Sequence, residues 1–189
     1  GAERVVSRMM VDNLIMPDLM GSKSLTATIT EIRNDVLADE GECFVAKQGM
    51  NVNIGDFTVT VLAHYKDEEN ENNRSIFAVA ECQGVRFLFT GDAEDDVEKR
   101  LLKEGLDLKC DVLKVGHHGA KTSTSQKFID ATKPKYAVIS VGEGNQYSHP
   151  HEATISRLYE SGIDFYRTDI HGDVTFYING GKMNIKTTK

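Results

Sequence analysis

Four apolar runs each end beside a histidine or a glycine-flanked acid, and this repetition constrains the fold more than any other feature of the sequence. Phe57-Thr58-Val59-Thr60-Val61 alternates strictly and leads to His64. Val85–Phe89 leads to Thr90-Gly91-Asp92, and Val112–Val115 to Gly116-His117-His118-Gly119. Tyr136–Val141 leads on to Tyr147-Ser148-His149-Pro150-His151. Runs of this length with period two or continuous apolar character suit strands. Helical stretches separate the later runs. One spans Ala93–Glu104 and is closed by Gly105, a second is capped by Ser125, and a third starts with Pro150 at N1 and is stopped by Gly162. Alternating strands and helices predict an α/β unit whose strand-end loops are the places where ligands bind.

The rest of the chain fills in around that unit. A helix is expected over 2–12, with Val5, Val6, Met9 and Met10 on one face, then a short strand Leu14–Met16 closed by Pro17. Leu25, Ile29, Ile32 and Val36 recur at helical spacing behind a cap at Ser22 or Ser24. Hairpins are expected to turn at Gly55-Asp56 and Gln83-Gly84, with a polar surface loop from His64 to Arg74. Two or three short strands, separated by Gly172 and Gly180-Gly181, finish the chain. There is no repeat, low-complexity tract or linker, so residues 1–189 read as one domain. A composition of 40% hydrophobic and 27% charged residues is that of an ordinary globular chain. The net charge of −7 argues against a general nucleic-acid binder. No apolar run approaches the roughly 18 residues of a membrane span, and the N-terminus lacks the order of a signal peptide. Localisation is not indicated. Cys43, Cys82 and Cys110 are far apart and form no CxxC pair, which suits buried thiols.

Taken singly, the strand-end residues differ in weight. A Gly-Asp pair after a strand is commonly a turn or cap, and a lone His64 is commonly surface decoration. His149 is balanced between capping and function. Adjacent histidines between glycines are harder to explain structurally, because they offer metal ligation, proton transfer or phosphate contact where the backbone can approach a ligand. The Thr122–Ser125 run reads as a loop ending in a cap, and no nucleophile elbow surrounds its serines. Taken together, His64, Asp92 and His149 are nitrogen and oxygen donors that suit zinc, manganese or iron. Residues 109–135 hold six lysines (109, 114, 121, 127, 133, 135) against two aspartates, a local net of +4, which suggests an anionic substrate.

The ordered set Phe87-Leu88-Phe89-Thr90-Gly91-Asp92-Ala93, Asp111–Gly119, Tyr136–Gly142 and Tyr147-Ser148-His149-Pro150 resembles the metallo-β-lactamase superfamily. Within it, the set is similar to the ComEC-related branch, which is related to phosphorylcholine esterases. The resemblance runs from the first residues to near the end. It implies the C-terminal portion of a four-layer αβ/βα sandwich with mixed sheets, and metal-assisted hydrolysis of a phosphodiester. Two divalent metals are implied in the full-length protein, zinc first, with manganese or iron as alternatives. Carried over by position, Asp92 bridges the metals while His64 and His149 ligate them. His117 and His118 serve the substrate phosphate or move protons, with direct ligation as the lesser option. Lys121 and Tyr147 are then placed on the substrate. Many relatives have serine where this chain has Ala120, so that hydroxyl is missing.

The His-x-His-x-Asp-His signature of the superfamily does not occur in these residues. With Gly1 rather than Met at the start, the expectation is a fragment that lacks the N-terminal strands and first metal motif, holds metal weakly or not at all, and is close to inactive alone. Val59, Val61, Ile76 and Val79 are expected on a sheet surface left open, with self-association as a consequence. The partners expected are a phosphate-containing substrate, with DNA among the candidates, and no membrane. The rival reading is a non-catalytic module that uses the basic His-His-Gly loop to bind an anion.

Overall fold

The computed structural model describes residues 2–18 and 25–189. Its centre is a seven-stranded mixed sheet in the order β3-β4-β5-β6-β7-β8-β9. The strands are β3 Asn51–Ile54, β4 Phe57–Ala63, β5 Phe77–Cys82, β6 Val85–Phe89, β7 Val112–Lys114, β8 Tyr136–Ile139 and β9 Asp164–Arg167. The first four pair antiparallel, two of the pairs through the expected hairpins, and β6 to β9 run parallel. Helices α3 Asp95–Glu104, α4 Gln126–Thr132 and α5 Glu152–Glu160 make the parallel crossovers. This is a mixed α/β fold, as the alternation of periods requires.

Register assigns the two faces of the sheet. Thr60↔Val79, Val79↔Leu88, Leu88↔Leu113 and Leu113↔Ala137 share one face, because directly paired residues point the same way. That face carries the core. Phe77, Leu88, Leu101, Leu113 and Phe128 are fully buried with Val97 beneath α3 and α4, and Ile139 and Leu158 continue the core under α5. The other face bears Phe87 and Tyr136, which meet Phe176 of a separate hairpin at ring-centroid distances of 5.5 Å and 6.4 Å. That hairpin pairs β10 Val174–Asn179 with β11 Lys182–Thr187. Val61 and Val79, expected together on an open surface, lie on opposite faces and are both buried. Phe89, beside the Phe176 contact, is instead an exposed apolar side chain of this sheet.

The structure departs from several expectations. The helix over 2–12 is α1 Ala2–Val6 only, because of the four residues expected on its apolar face Val6 alone joins a core, with Ile32 and Val36, while Met9 and Met10 stay exposed. A single helical turn with so small a buried face has little to extend it. The chain then forms β1 Asn13–Met16, which pairs in parallel with β2 Glu42–Val45 across α2 Leu25–Ala38. The mixed residues of β2 carry no periodic signal. The expected caps Ser22 and Ser24 lie outside the described residues. Helix α5 begins at Glu152, so Pro150 is not its first residue but stands just before the cap. That cap is His151, whose Nδ1 accepts from the Ala153 N–H at 3.2 Å. The short helix α6 Thr168–His171 has no counterpart in the sequence reading. Cys82 and Cys110 are buried as expected, and Cys43 is half-buried.

Glu98 is a buried acid of this core, on the inner face of α3 at 1% exposure. Its two carboxylate oxygens accept the backbone N–H groups of Thr124 and Ser125, which fixes the end of the His-His-Gly loop. Desolvation nevertheless outweighs these bonds and holds its pKa above the ordinary glutamate value. A folded-state pKa above the unfolded one means that Glu98 supports folding most in acid, and that this support falls as pH rises through the raised pKa. The stability of the native protein relative to Glu98→Gln is therefore expected to decrease from acid to neutral pH, as read from urea unfolding. A difference that grows with pH would contradict this.

Candidate functional site

Strands β4, β6, β7 and β8 all point their C-terminal ends the same way, so His64, Asp92, His117, His118 and His149 follow one edge of the sheet. Backbone hydrogen bonds then join the loops. The His117 N–H donates to the Gly91 carbonyl at 3.0 Å, and the His151 N–H to the Gly119 carbonyl at 2.9 Å. The Gly116 N–H donates to Thr124 Oγ1, and Ser123 Oγ donates back to the Gly116 carbonyl. Arg157 of α5 adds donors to the Ser123 and Thr124 carbonyls. Within this frame His117 and His118 both adopt left-handed backbone, with φ of 46° and 54°. Such positions cost about 1–3 kcal/mol each and persist only where the surroundings fix them.

Asp92 is aimed by its own backbone, whose N–H donates to Ser75 Oγ at 2.9 Å. Its Oδ1 lies 3.6 Å from His118 Nε2. His118 Nδ1 is 2.6 Å from the Ser140 carbonyl. A carbonyl can only accept, so Nδ1 carries the hydrogen and the Nε2 of the neutral ring turns a lone pair toward Asp92. His64 shares only the first half of the arrangement: Nδ1 donates to the Arg74 carbonyl at 3.0 Å, but the Nε2 lone pair is taken by the Asp18 N–H at 2.7 Å. Metal-binding imidazoles are typically oriented in this way by a bond at the other nitrogen.

His149 is held through its main chain, because Asn145 accepts from its N–H at 3.0 Å and donates to its carbonyl at 2.7 Å. Its ring stands 5.7 Å from that of His117 and stacks on exposed Tyr147 at 6.0 Å. Burial pushes the His149 pKa down, neighbouring His117, His118 and His151 add to this, and Asp92 opposes it. The neutral ring that results is the form that ligates metals. The Nδ1 atoms of His149 and His117 are buried without a hydrogen-bond partner. Among the described residues no three His, Cys, Asp or Glu side chains are grouped closely enough to hold a metal ion. The donor chemistry fits one all the same: the Asp92–His118 pair presents oxygen and nitrogen together, with an unpartnered imidazole close by.

No family model matches the chain. Over 131 residues it is 37% identical to ComE operon protein 3 of Bacillus subtilis (strain 168), covering 69% of this chain and 17% of that protein. Over 113 residues it is 39% identical to competence protein ComA of Neisseria gonorrhoeae, covering 59% and 16%. Over these residues the chain is similar to the two competence proteins. It spans about a sixth of the length of these relatives. Among solved structures, CmlA, a diiron β-hydroxylase from Streptomyces venezuelae, matches with a TM-score of 0.50 at 12% identity, covering 84% of this chain and 44% of that one. At that identity the likeness concerns the fold alone.

The site differs from the sequence reading in its charge. Lys109, Lys133 and Lys135 precede β7 and β8, at the far end of the strands from the histidines. Lys127 lies on the exposed side of α4. Lys114 turns its Nζ to the Val115 carbonyl at 2.9 Å, and burial lowers its pKa. Lys121, exposed in the loop after Gly119, is the lysine left nearest the histidines in sequence. The basic run is therefore not a basic patch, because strand direction divides it. Residues that sequence reasoning misses are Glu94, Ser75, Ser140 and Asn145, which hold the others. Only Glu94, two positions past Asp92, carries a usable signal. Among the described residues no helix is long and apolar enough to cross a membrane.

Gly119 has φ of +82°, and a Cβ there would stand 2.7 Å from Pro150 Cβ. Gly119→Ala is expected to displace the Pro150 segment, perturb the His149 ring resonances in NMR spectra, and cost about 2 kcal/mol in urea unfolding. Unchanged His149 resonances would refute the coupling.

Proposed function

We propose that the ComEC-like chain forms part of the active site of a metal-dependent hydrolase whose substrate class is a phosphodiester, with DNA among the candidates. One observation carries the reading: His118 Nε2 faces Asp92 Oδ1 at 3.6 Å while its Nδ1 is committed to the Ser140 carbonyl. Asp92, His118 and His149 are the residues proposed to hold metal, zinc first, and His64 would join them only on release of its Nε2 from the Asp18 N–H. His118 thus moves to the metal side from the substrate role read in the sequence. When bound, a divalent metal supplies Lewis acidity toward a phosphoryl oxygen. His117 is proposed to meet the substrate or its attacking water, with Lys121 and Tyr147 at the rim. The 189-residue chain alone is proposed to hold metal weakly and to be close to inactive.

The test uses the full-length protein that contains this chain, with metal content and turnover of bis(p-nitrophenyl) phosphate as readouts. Asp92→Ala, His118→Ala and His149→Ala are expected to lower both. His117→Ala is expected to reduce turnover by about 10² or more while metal content stays near the native level. Loss of metal in His117→Ala with retention in His118→Ala would reverse the two roles. Phosphodiester binding without metal-dependent turnover in the native protein would replace the hydrolase with a binding module.

A further inference from the structure

Glu94 immediately precedes α3, where a carboxylate is well placed to cap the helix, but it makes no capping bond. Its backbone N–H donates to Asn73 Oδ1 at 2.9 Å, and Asn73 is buried. Oε2 accepts from Asn70 Nδ2 at 3.1 Å, and Oε1 from Thr122 Oγ1 at 3.2 Å. Two elements far apart in sequence therefore hold this carboxylate away from its own helix. Held there, Oε1 lies 3.7 Å from His117 Nδ1. That nitrogen is buried and has no hydrogen-bond partner.

An ionised carboxylate can only accept, and a buried imidazole nitrogen facing one is best satisfied as N–H. At 3.7 Å the contact is longer than a hydrogen bond, but a small side-chain rotation would close it. We infer that Glu94 is a positioning residue that holds His117 in the Nδ1–H tautomer and leaves Nε2 as a hydrogen-bond acceptor toward substrate or water. The inference rests on the proposed role of His117 at the substrate. It accounts for three features together: the unused cap, the two tethers on the carboxylate and the orphaned Nδ1.

The test is the tautomer of His117, read from long-range proton–nitrogen NMR spectra of the 189-residue chain at about pH 8, above the ordinary imidazole range. Native His117 is expected as Nδ1–H. Glu94→Ala is expected to shift it toward Nε2–H, while Asn70→Ala, which removes a tether but keeps the carboxylate, retains Nδ1–H. Glu94→Gln can still present a carbonyl oxygen and is expected to retain Nδ1–H, so a failure of Glu94→Ala to fold leaves the comparison of native, Asn70→Ala and Glu94→Gln spectra. Nε2–H in the native chain, or an unchanged tautomer in a folded Glu94→Ala, would overturn the inference. In the full-length protein, Glu94→Ala is expected to lower kcat by about 10-fold or more with little change in KM. Absence of any turnover would sink the hydrolase reading while leaving the tautomer result intact.

Discussion

The site depends on a carboxylate that does not belong to it. Glu98 reaches from α3 through the core to the Thr124 and Ser125 amides. Those two residues in turn anchor the loop, Thr124 through the Gly116 N–H and Ser125 as the cap of α4. A buried carboxylate is costly in an apolar core, and here bonds to both oxygens offset part of that cost, though desolvation still holds its pKa up. The left-handed backbone of His117 and His118 is possible because both ends of the loop are fixed in this way. Rigid support behind a strained loop is a common way to hold side chains in one orientation.

The loops are linked to one another as well as to the core. The amide of His117 reaches the loop of Asp92, and the amide of His151 reaches the carbonyl of Gly119. Each bond crosses from one strand end to the next, so three parallel strands present one continuous rim. His118 is oriented from Ser140 across that rim, and His149 from Asn145 within its own loop. Orientation by main-chain bonds leaves the side chains little freedom, which suits a site that must present lone pairs in a fixed direction.

Much of this was legible in the sequence, for identifiable reasons. Period-two alternation marked β4, the Gly55 and Gly84 turns marked the hairpins, and Gly105 and Ser125 marked helix ends through their backbone and side-chain chemistry. The grouping of Asp92 with the histidines followed from strand order. What stayed hidden depended on direction and distance. The six lysines share one stretch of sequence but are divided between the two ends of the strands, and Val61 and Val79 are alike in composition but face opposite ways. Helix α1 stops early because its tertiary partners are few, which local periodicity does not register. The partnership of Glu94 with His117 needs Asn70 and Thr122, which only the folded chain brings near.

The division of the lysines has a consequence for any phosphodiester that approaches. The rim carries the carboxylates Asp92 and Glu94, while half-buried Lys114 is committed to the Val115 carbonyl with Asp92 as its charge neighbour, and three of the other lysines stand at the opposite end of the sheet. Under the proposed reading, an anion entering such a rim meets like charge with Lys121 to offset it, so a cation bound between it and those oxygens would raise its affinity. By linkage, the anion would strengthen the hold on that cation by the same factor. Substrate and metal at this edge of the sheet would then behave as one cooperative ligand rather than two independent ones.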